Sequence, residues 1–125
     1  MADYGFKNII AWQRAHAFVL AVYSVSAEFP EFEKRGLWSQ FTRAAVSIAA
    51  NIAEGYKKLS KADKLRFINI SQGSLEECRY YIILAHDLHY ISDAAEQELN
   101  YKLEGASWCL NAYAQAIVSD RGIKD

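Results

Sequence analysis

Hydrophobic residues recur at helical spacing in four successive segments of this chain. The first segment carries a broad apolar stripe and ends at Phe29-Pro30, because the residue before a proline avoids helical geometry. The pattern predicts an all-α fold with helices over about 6–28, 34–58, 61–91 and 93–119. The last segment alternates steps of four and three, as in the seam of an antiparallel bundle, at Leu99, Leu103, Ala106, Leu110, Tyr113 and Ile117.

Two serines mark the starts of the third and fourth helices. Ser60 is followed by Asp63 in a pattern that resembles a capping box. Ser92 precedes Asp93 and Glu96, which are acids in the first turn, where the helix dipole favours negative charge. Short connections between long helices make sequential neighbours antiparallel, so we expect an up-down-up-down four-helix bundle.

The second segment has no ordinary water-facing side. One ridge of it is polar, and small or apolar residues cover most of the remaining circumference. A helix of this kind is usually buried in a bundle or against another subunit, and its polar groups then need partners. We interpret the ridge as a structural network, with a functional cleft as the alternative; it comprises Gln40, Arg43, Ser47, Asn51 and Glu54.

Reflecting the third helix onto the second about their connection predicts a close contact. Gly73 falls opposite Ala44 and Ala45. Glycine within a helix costs about 1 kcal/mol relative to alanine, and close approach of the two helix axes would explain why that cost is accepted.

The same reflection places a cation beside two acids. Arg43 falls near Glu76 and Glu77, so we expect a buried or half-buried ion pair. Such a pair specifies the register of two helices more than it adds net stability.

Length and composition bound the class of protein. A chain of 125 residues with 52% hydrophobic content forms one domain over 1–125, and its six glycines and single proline favour long helices. The sequence has no apolar run long enough to span a membrane and no hydrophobic signal core, so we expect a cytoplasmic protein without a membrane partner. Cys78 and Cys109 lie singly in helical patterns, as reduced core thiols do.

Charge is segregated along the chain although the net charge is only −1. Residues 34–66 contain eight basic and two acidic side chains, whereas residues 76–104 contain seven acidic and two basic ones. Basic residues with an adjacent aromatic can contact phosphates and stack on a base, so a possible partner is RNA or single-stranded DNA. The alternative is a turn whose lysines only increase solubility; the residues are Tyr56, Lys57, Lys58, Lys61, Lys64 and Arg66.

Other candidate chemistry is sparse. His86 and His89 are spaced as two metal ligands on one helix face, but no third or fourth ligand is evident, so we predict no metal and no cofactor. The sequence contains no nucleophile elbow, phosphate loop or zinc-protease motif, so we expect a protein that is not an enzyme. Tyr80 and Tyr81 point about 100° apart on a helix, which leaves one of them for a subunit contact and indicates a homo-oligomer.

Two blocks of sequence together form a recognisable signature. They are Phe29-Pro30, Glu33, Leu37, Gln40, Arg43-Ala44-Ala45, Ser47-Ile48 and Asn51-Ile52-Ala53-Glu54-Gly55, then Phe67 and Gly73-Ser74-Leu75-Glu76. These blocks resemble a known family, the four-helix bundle proteins named for intervening sequences of 23S ribosomal RNA genes. The resemblance implies a left-handed bundle, a ring-shaped homopentamer and no known reaction. The chain is also similar to the accessory proteins of diversity-generating retroelements, which are basic pentamers that engage nucleic acid, but it differs from them in charge.

The sequence patterns are consistent with two functions. The first is an accessory or scaffold module that contacts nucleic acid, or a nucleic-acid enzyme, through the basic segment. The second is a protein-only scaffold or adaptor in which the acidic segments meet a basic partner.

Overall fold

Four α-helices make up most of residues 5–119, the part of the chain that the computed structural model describes. They are α1 (Ile10–Ser26), α2 (Leu37–Tyr56), α3 (Lys61–Asp87) and α4 (Asp93–Val118). Short 3-10 turns at Gly5–Asn8 and Glu31–Glu33 precede α1 and α2, and residues 5–119 contain no strand. The all-α prediction is confirmed. Within the described range, no helix combines the length and hydropathy needed to cross a membrane.

Six of the eight helix ends differ from the sequence prediction, by one to four residues. α1 begins four residues later than predicted because the 3-10 turn Gly5–Asn8 occupies its predicted start, and α2 begins three residues later because residues 34–36 form a turn. α3 ends at Asp87 because His89 has a φ of 64°. The amide of Tyr90 then reaches back to the carbonyl of Ala85 at 2.9 Å, the long bond of a Schellman ending.

The two serine caps form as predicted. The Ser60 Oγ accepts the amide of Asp63 at 3.1 Å, and the Ser92 Oγ accepts the amide of Ala95 at 3.1 Å. Each bond satisfies an amide that the first helical turn leaves without a partner. The starts of α3 and α4 are therefore encoded locally.

Each helix packs against two others: α1 and α3 each contact both α2 and α4. Between α2 and α3, Gln40 pairs with Tyr81 and Ile48 with Ser71, so residue numbers rise on one helix as they fall on the next. Between α3 and α4 the same holds. There Gln72 contacts Asn111, Arg79 contacts Glu104, and His86 contacts Asp93.

The core between the helices is apolar. Its largest fully buried side chains come from all four helices: Phe18, Val22, Phe41, Ile48, Ile52, Ile68, Leu75, Ile82, Leu99, Leu103, Leu110 and Ile117.

Chain connections meet at the two ends of this arrangement. At one end the rings of Phe29 and Tyr90 are 5.4 Å apart, and the Tyr90 hydroxyl donates to Glu33 at 2.8 Å. The connections α1–α2 and α3–α4 therefore lie together. At the other end the Lys61 Nζ reaches the carbonyl of Val118 at 3.4 Å, which joins the α2–α3 connection to the end of α4.

The close contact predicted for Gly73 is wrong. Gly73 is exposed, and a Cβ built on it would meet nothing within 4 Å. Ser71 and Ser74 face α2 instead, donating to the Ile48 carbonyl and the Ser47 hydroxyl at 2.8 Å each. These two hydroxyl bonds set the register, and they turn Gly73 toward solvent.

Gly73→Ala should therefore stabilise the fold. We expect the free energy of unfolding to rise by about 0.5–1 kcal/mol, because the methyl group enters open space and alanine has the higher helix propensity. Urea unfolding followed by circular dichroism measures the change. A loss of stability would show that Gly73 has a neighbour that the single chain does not supply.

Candidate nucleic-acid interface

Five basic residues and one tyrosine surround the α2–α3 connection, and we call this surface the basic corner: Tyr56, Lys57, Lys58, Lys61, Lys64 and Arg66. Gly55 allows the two helices to meet there. A Cβ on Gly55 would lie 3.0 Å from the Phe67 Cβ and 3.5 Å from the Lys64 carbonyl. The end of α2 and the first turns of α3 are thus in close contact.

Two aromatic rings organise the cations of the basic corner. The Lys64 Nζ donates to the Tyr56 carbonyl at 2.8 Å and lies 5.7 Å from the Tyr56 ring centre. The Phe67 ring has the Lys58 Nζ 4.8 Å and the Arg66 guanidinium 4.7 Å from its centre. Such contacts hold a cation in place while leaving its charge available.

Weak ion pairs also involve the basic corner. Lys58 lies 4.0 Å from Glu54, and Arg66 lies 3.5 Å from Asp63. Both pairs are exposed and within one helix, so each contributes little. Lys57 is exposed and has no ion-pair partner within residues 5–119.

The aromatic contribution differs from the prediction. Tyr56 is 36% exposed, and a Cβ on Gly5 would lie 2.6 Å from its ring, so the turn before α1 covers part of the tyrosine. Phe67, which is not among the predicted site residues, is the ring that contacts two cations, Lys58 and Arg66. Its position beside Arg66 in the sequence is the only local signal for this role.

Opposite ends of the molecule carry opposite charge. Residues 54–66, at one end, contain five basic and two acidic side chains, a net charge of +3. The segments 28–35 and 87–98, at the other end, contain seven acidic and two basic side chains, a net charge of −5. The segregation seen along the chain therefore becomes a separation in space.

The polar ridge of α2 lines a cleft of about 460 Å³ against α3. The Tyr81 hydroxyl contacts Gln40 at 3.0 Å and Glu77 at 3.3 Å, and burial, followed by the charge of Glu77, raises the pKa of Tyr81. Asn51 donates to the Ser47 carbonyl at 2.9 Å. The ridge thus forms hydrogen bonds within α2 and to α3.

The expected ion pair of Arg43 with Glu76 or Glu77 is absent among the described residues. Arg43 is exposed and lines the cleft together with Glu77, but the two form no ion pair within residues 5–119. Glu76 instead pairs with Arg79 at 3.1 Å, because the two stand three residues apart on one helix.

Among residues 5–119, one cluster of potential metal ligands lies at the opposite end from the basic corner. Its members, His86, Asp93 and Glu96, offer ligand atoms that all lie within 4.8 Å of one another. His89 is not among them. The His86 Nε2 is 2.7 Å from Asp93 and the Nδ1 is 3.6 Å from Glu96, so both nitrogens face carboxylates, which suits a protonated ring.

The His86 contacts predict a pH-dependent stability. The hydrogen bond to Asp93, with the charges of Glu96 and Asp87, raises the pKa of His86 above its ordinary value of 6.5. The contribution of these His86 contacts to the free energy of unfolding is therefore complete below about pH 6.5, and it is lost as pH rises through the raised pKa. Unfolding free energies of wild type and His86→Gln, measured across this range, should differ most in acid and converge in alkali. A difference that grows with pH would contradict the assignment.

The two cysteines occupy different surroundings. Cys78 is buried, and burial raises the pKa of its thiol above the ordinary range, whereas Cys109 is half-buried. Both are free thiols. A thiol that resists ionisation is a poor nucleophile, so Cys78 acts as a core side chain.

Comparison with known proteins supports the fold. A crystal structure of a protein of unknown function from the S23 ribosomal protein family of Bacteroides thetaiotaomicron is similar, with a TM-score of 0.77 and 20% sequence identity. The match covers 85% of this chain and 96% of that one. A search among curated proteins found no match. The model of the 23S rRNA-intervening sequence protein family matches residues 7–112. This chain therefore belongs to the 23S rRNA-intervening sequence protein family.

Proposed function

We propose that this protein is a cytoplasmic, non-enzymatic accessory module that contacts nucleic acid, or an enzyme acting on it, through the basic corner. The observation that carries the proposal is the concentration of five cations at one end of the molecule, against an acidic opposite end. A local field of one sign attracts a polyanion even where the net charge of the protein is near zero.

The proposed assembly would multiply this charge. We propose that the helices form a left-handed up-down-up-down bundle and that copies of it close into a ring, with five copies as the family resemblance implies. The opposing order of residue numbers on neighbouring helices supports the bundle. In a ring whose axis follows the bundle, every basic corner lies on the same face. A phosphate backbone would then meet several corners at once.

Charge reversal of four lysines tests the proposal. Labelled structured RNA and single-stranded DNA are titrated with wild type and with a variant carrying Lys57→Glu, Lys58→Glu, Lys61→Glu and Lys64→Glu, and fluorescence anisotropy is measured. We expect wild type to bind, and to lose about 100-fold in affinity between 50 and 200 mM salt if four phosphates are contacted. The variant should not bind at either salt concentration.

A matched pair of variants controls for net charge. Lys57→Glu with Lys58→Glu changes the charge of the basic corner, and Lys34→Glu with Arg35→Glu makes the same change at the opposite end. Only the first pair should weaken binding. Equal weakening by both pairs would show that a general charge effect, rather than this surface, governs the interaction.

The internal contacts of the lysines favour a second candidate. The bond of Lys64 to the Tyr56 carbonyl and the proximity of Lys58 to Glu54 are also what a solubilising turn would show. If wild type binds neither nucleic acid at low salt, the proposal fails. The protein is then better explained as a protein-only adaptor, whose acidic end would meet a basic partner.

A further inference from the structure

The face of α2 that points away from the core is apolar, and no part of residues 5–119 covers it. It forms one wall of a groove of about 380 Å³ whose other wall is α1. Val46 is 41% exposed and Ala50 is also exposed, although both lie in mid-helix. The groove is lined by Phe6, Trp12, His16 and Val19 with Val46, Ala49, Ala50 and Ala53.

A second unpartnered face lies on α4. Trp108 is 74% exposed and Tyr101 is 79% exposed, and their spacing of seven residues puts them on one side of the helix. Two such aromatics expose on the order of 300 Å² of surface. That is more than a third of the roughly 800 Å² that each partner buries in a standard interface.

Contacts between helices set the height of Trp108 along the bundle. Trp108 lies between Glu104 and Asn111, whose partners on α3 are Arg79 and Gln72. On α3, Gln72 and Arg79 lie between Ser71 and Tyr81. Ser71 contacts Ile48 of α2, and Tyr81 contacts Gln40 of α2. Trp108 is therefore level with residues 40–48 of α2.

We propose that Trp108 of one copy packs into the α1–α2 groove of the next copy, against Val46 and Ala50. The inference rests on the proposed closed assembly and assigns its interface. Copies related by a rotation alone keep the same height along the axis, so the tryptophan meets the part of α2 that is level with it. Val46 lies within that part, and Ala50 is two residues beyond its end, about 3 Å along the helix axis. The small side chains of Ala49, Ala50 and Ala53 leave room for an indole ring.

Arg43 adds a polar anchor at the same height. It lies three residues before Val46, is exposed, and has no charged partner among the described residues. A guanidinium that stacks on an indole face gains the cation–π attraction that favours arginine and tryptophan at interface centres. The contact is heterologous because it joins two different faces, and such contacts close into rings when the rotation permits.

Two surface variants and their mixture test the inference. Trp108→Arg removes the anchor, and Ala50→Arg blocks the groove; both positions are exposed, so each variant should fold, as circular dichroism can verify. Light scattering after size exclusion should show wild type as an oligomer and each variant as a monomer. The mixture should form a dimer with one copy of each, because one intact anchor then meets one intact groove. Phe32→Arg, at an aromatic that is 77% exposed, should leave the oligomer intact.

Other outcomes separate this inference from the proposed function. If wild type and Trp108→Arg both form the same oligomer, the assigned interface is wrong while the closed assembly stands. Two monomeric variants that give no dimer on mixing also overturn the heterologous contact. A monomeric wild type at the highest concentration reached in solution refutes the assembly and this interface together. Nucleic-acid binding is measured separately with the lysine variants, so either result leaves that question open to its own test.

Discussion

Phe41→Ala is expected to destabilise the protein by about 3–5 kcal/mol. Phe41 is completely buried. Its ring lies 6.5 Å from the ring of Phe29 and 5.9 Å from the ring of Tyr81, measured between centres. Truncation loses the transfer free energy of the ring and leaves a cavity between α2, α3 and the α1–α2 connection. Because small domains are stable by only about 5–15 kcal/mol, most of the margin would be lost.

Urea unfolding, with the midpoint and slope fitted separately, measures this change. The matched control is Phe32→Ala, because Phe32 is 77% exposed and exposed substitutions usually change stability by about 0.5 kcal/mol or less. If both alanine variants lost the same small amount, Phe41 would not be the core residue that its burial indicates.

Gly55→Leu is expected to destabilise the protein by about 1–3 kcal/mol, as overpacking does. A Cβ at this position would already lie 3.0 Å from the Phe67 Cβ, and leucine adds three carbon atoms beyond it. Leucine has a better helix propensity than glycine, so any loss must come from steric conflict. Relief requires that α2 and α3 separate at the basic corner.

The same substitution at Gly73, an exposed glycine in the middle of α3, provides the control. Gly73→Leu adds the same atoms where nothing lies within 4 Å, so it should gain stability from helix propensity. A loss of stability for Gly55→Leu and a gain for Gly73→Leu, measured by thermal or urea unfolding, would locate the close helix contact at Gly55. A gain of stability for both variants would show that the basic corner accommodates the added side chain at little cost.

The outcome at Gly55 also bears on function. Phe67, which lies opposite Gly55, forms cation–π contacts with Lys58 and Arg66. Separation of the helices would move these cations relative to Lys64, whose Nζ is tied to the Tyr56 carbonyl. Under the proposed function, a Gly55→Leu variant that still folds should therefore bind nucleic acid less tightly than wild type, without any change in charge.

Local patterns were sufficient to predict the helices. The four-helix count, the serine caps at Ser60 and Ser92, and the apolar seam of α4 depend on residues within one or two turns of each other. Their physical cause is backbone geometry and hydrogen bonding, which operate over three to four residues. The basic corner was also predictable, because its cations lie within eleven consecutive positions, 56–66.

Contacts between helices were less predictable. The reflection of α3 onto α2 pairs residues whose numbers sum to about 118, such as Ala45 with Gly73, whereas the observed pairs sum to 119–121. It also placed Gly73 against α2, where the structure exposes it. The observed pairing is fixed by hydroxyl bonds such as Ser71 to the Ile48 carbonyl, across 23 residues of sequence. The set of His86, Asp93 and Glu96 similarly depends on how the α3–α4 connection folds back.

The sequence by itself determined that this protein is all helical, where two of its helices begin, and which stretches carry charge, because these properties are local. Only the tertiary structure decided which side of each helix is covered. It directed Ser71 and Ser74 rather than Gly73 toward α2, gathered opposite charges at opposite ends, and left Trp108 and the face of Val46 exposed. The physical reason is that helix register follows from the fit of side chains far apart in sequence, and the period of one helix does not encode that fit.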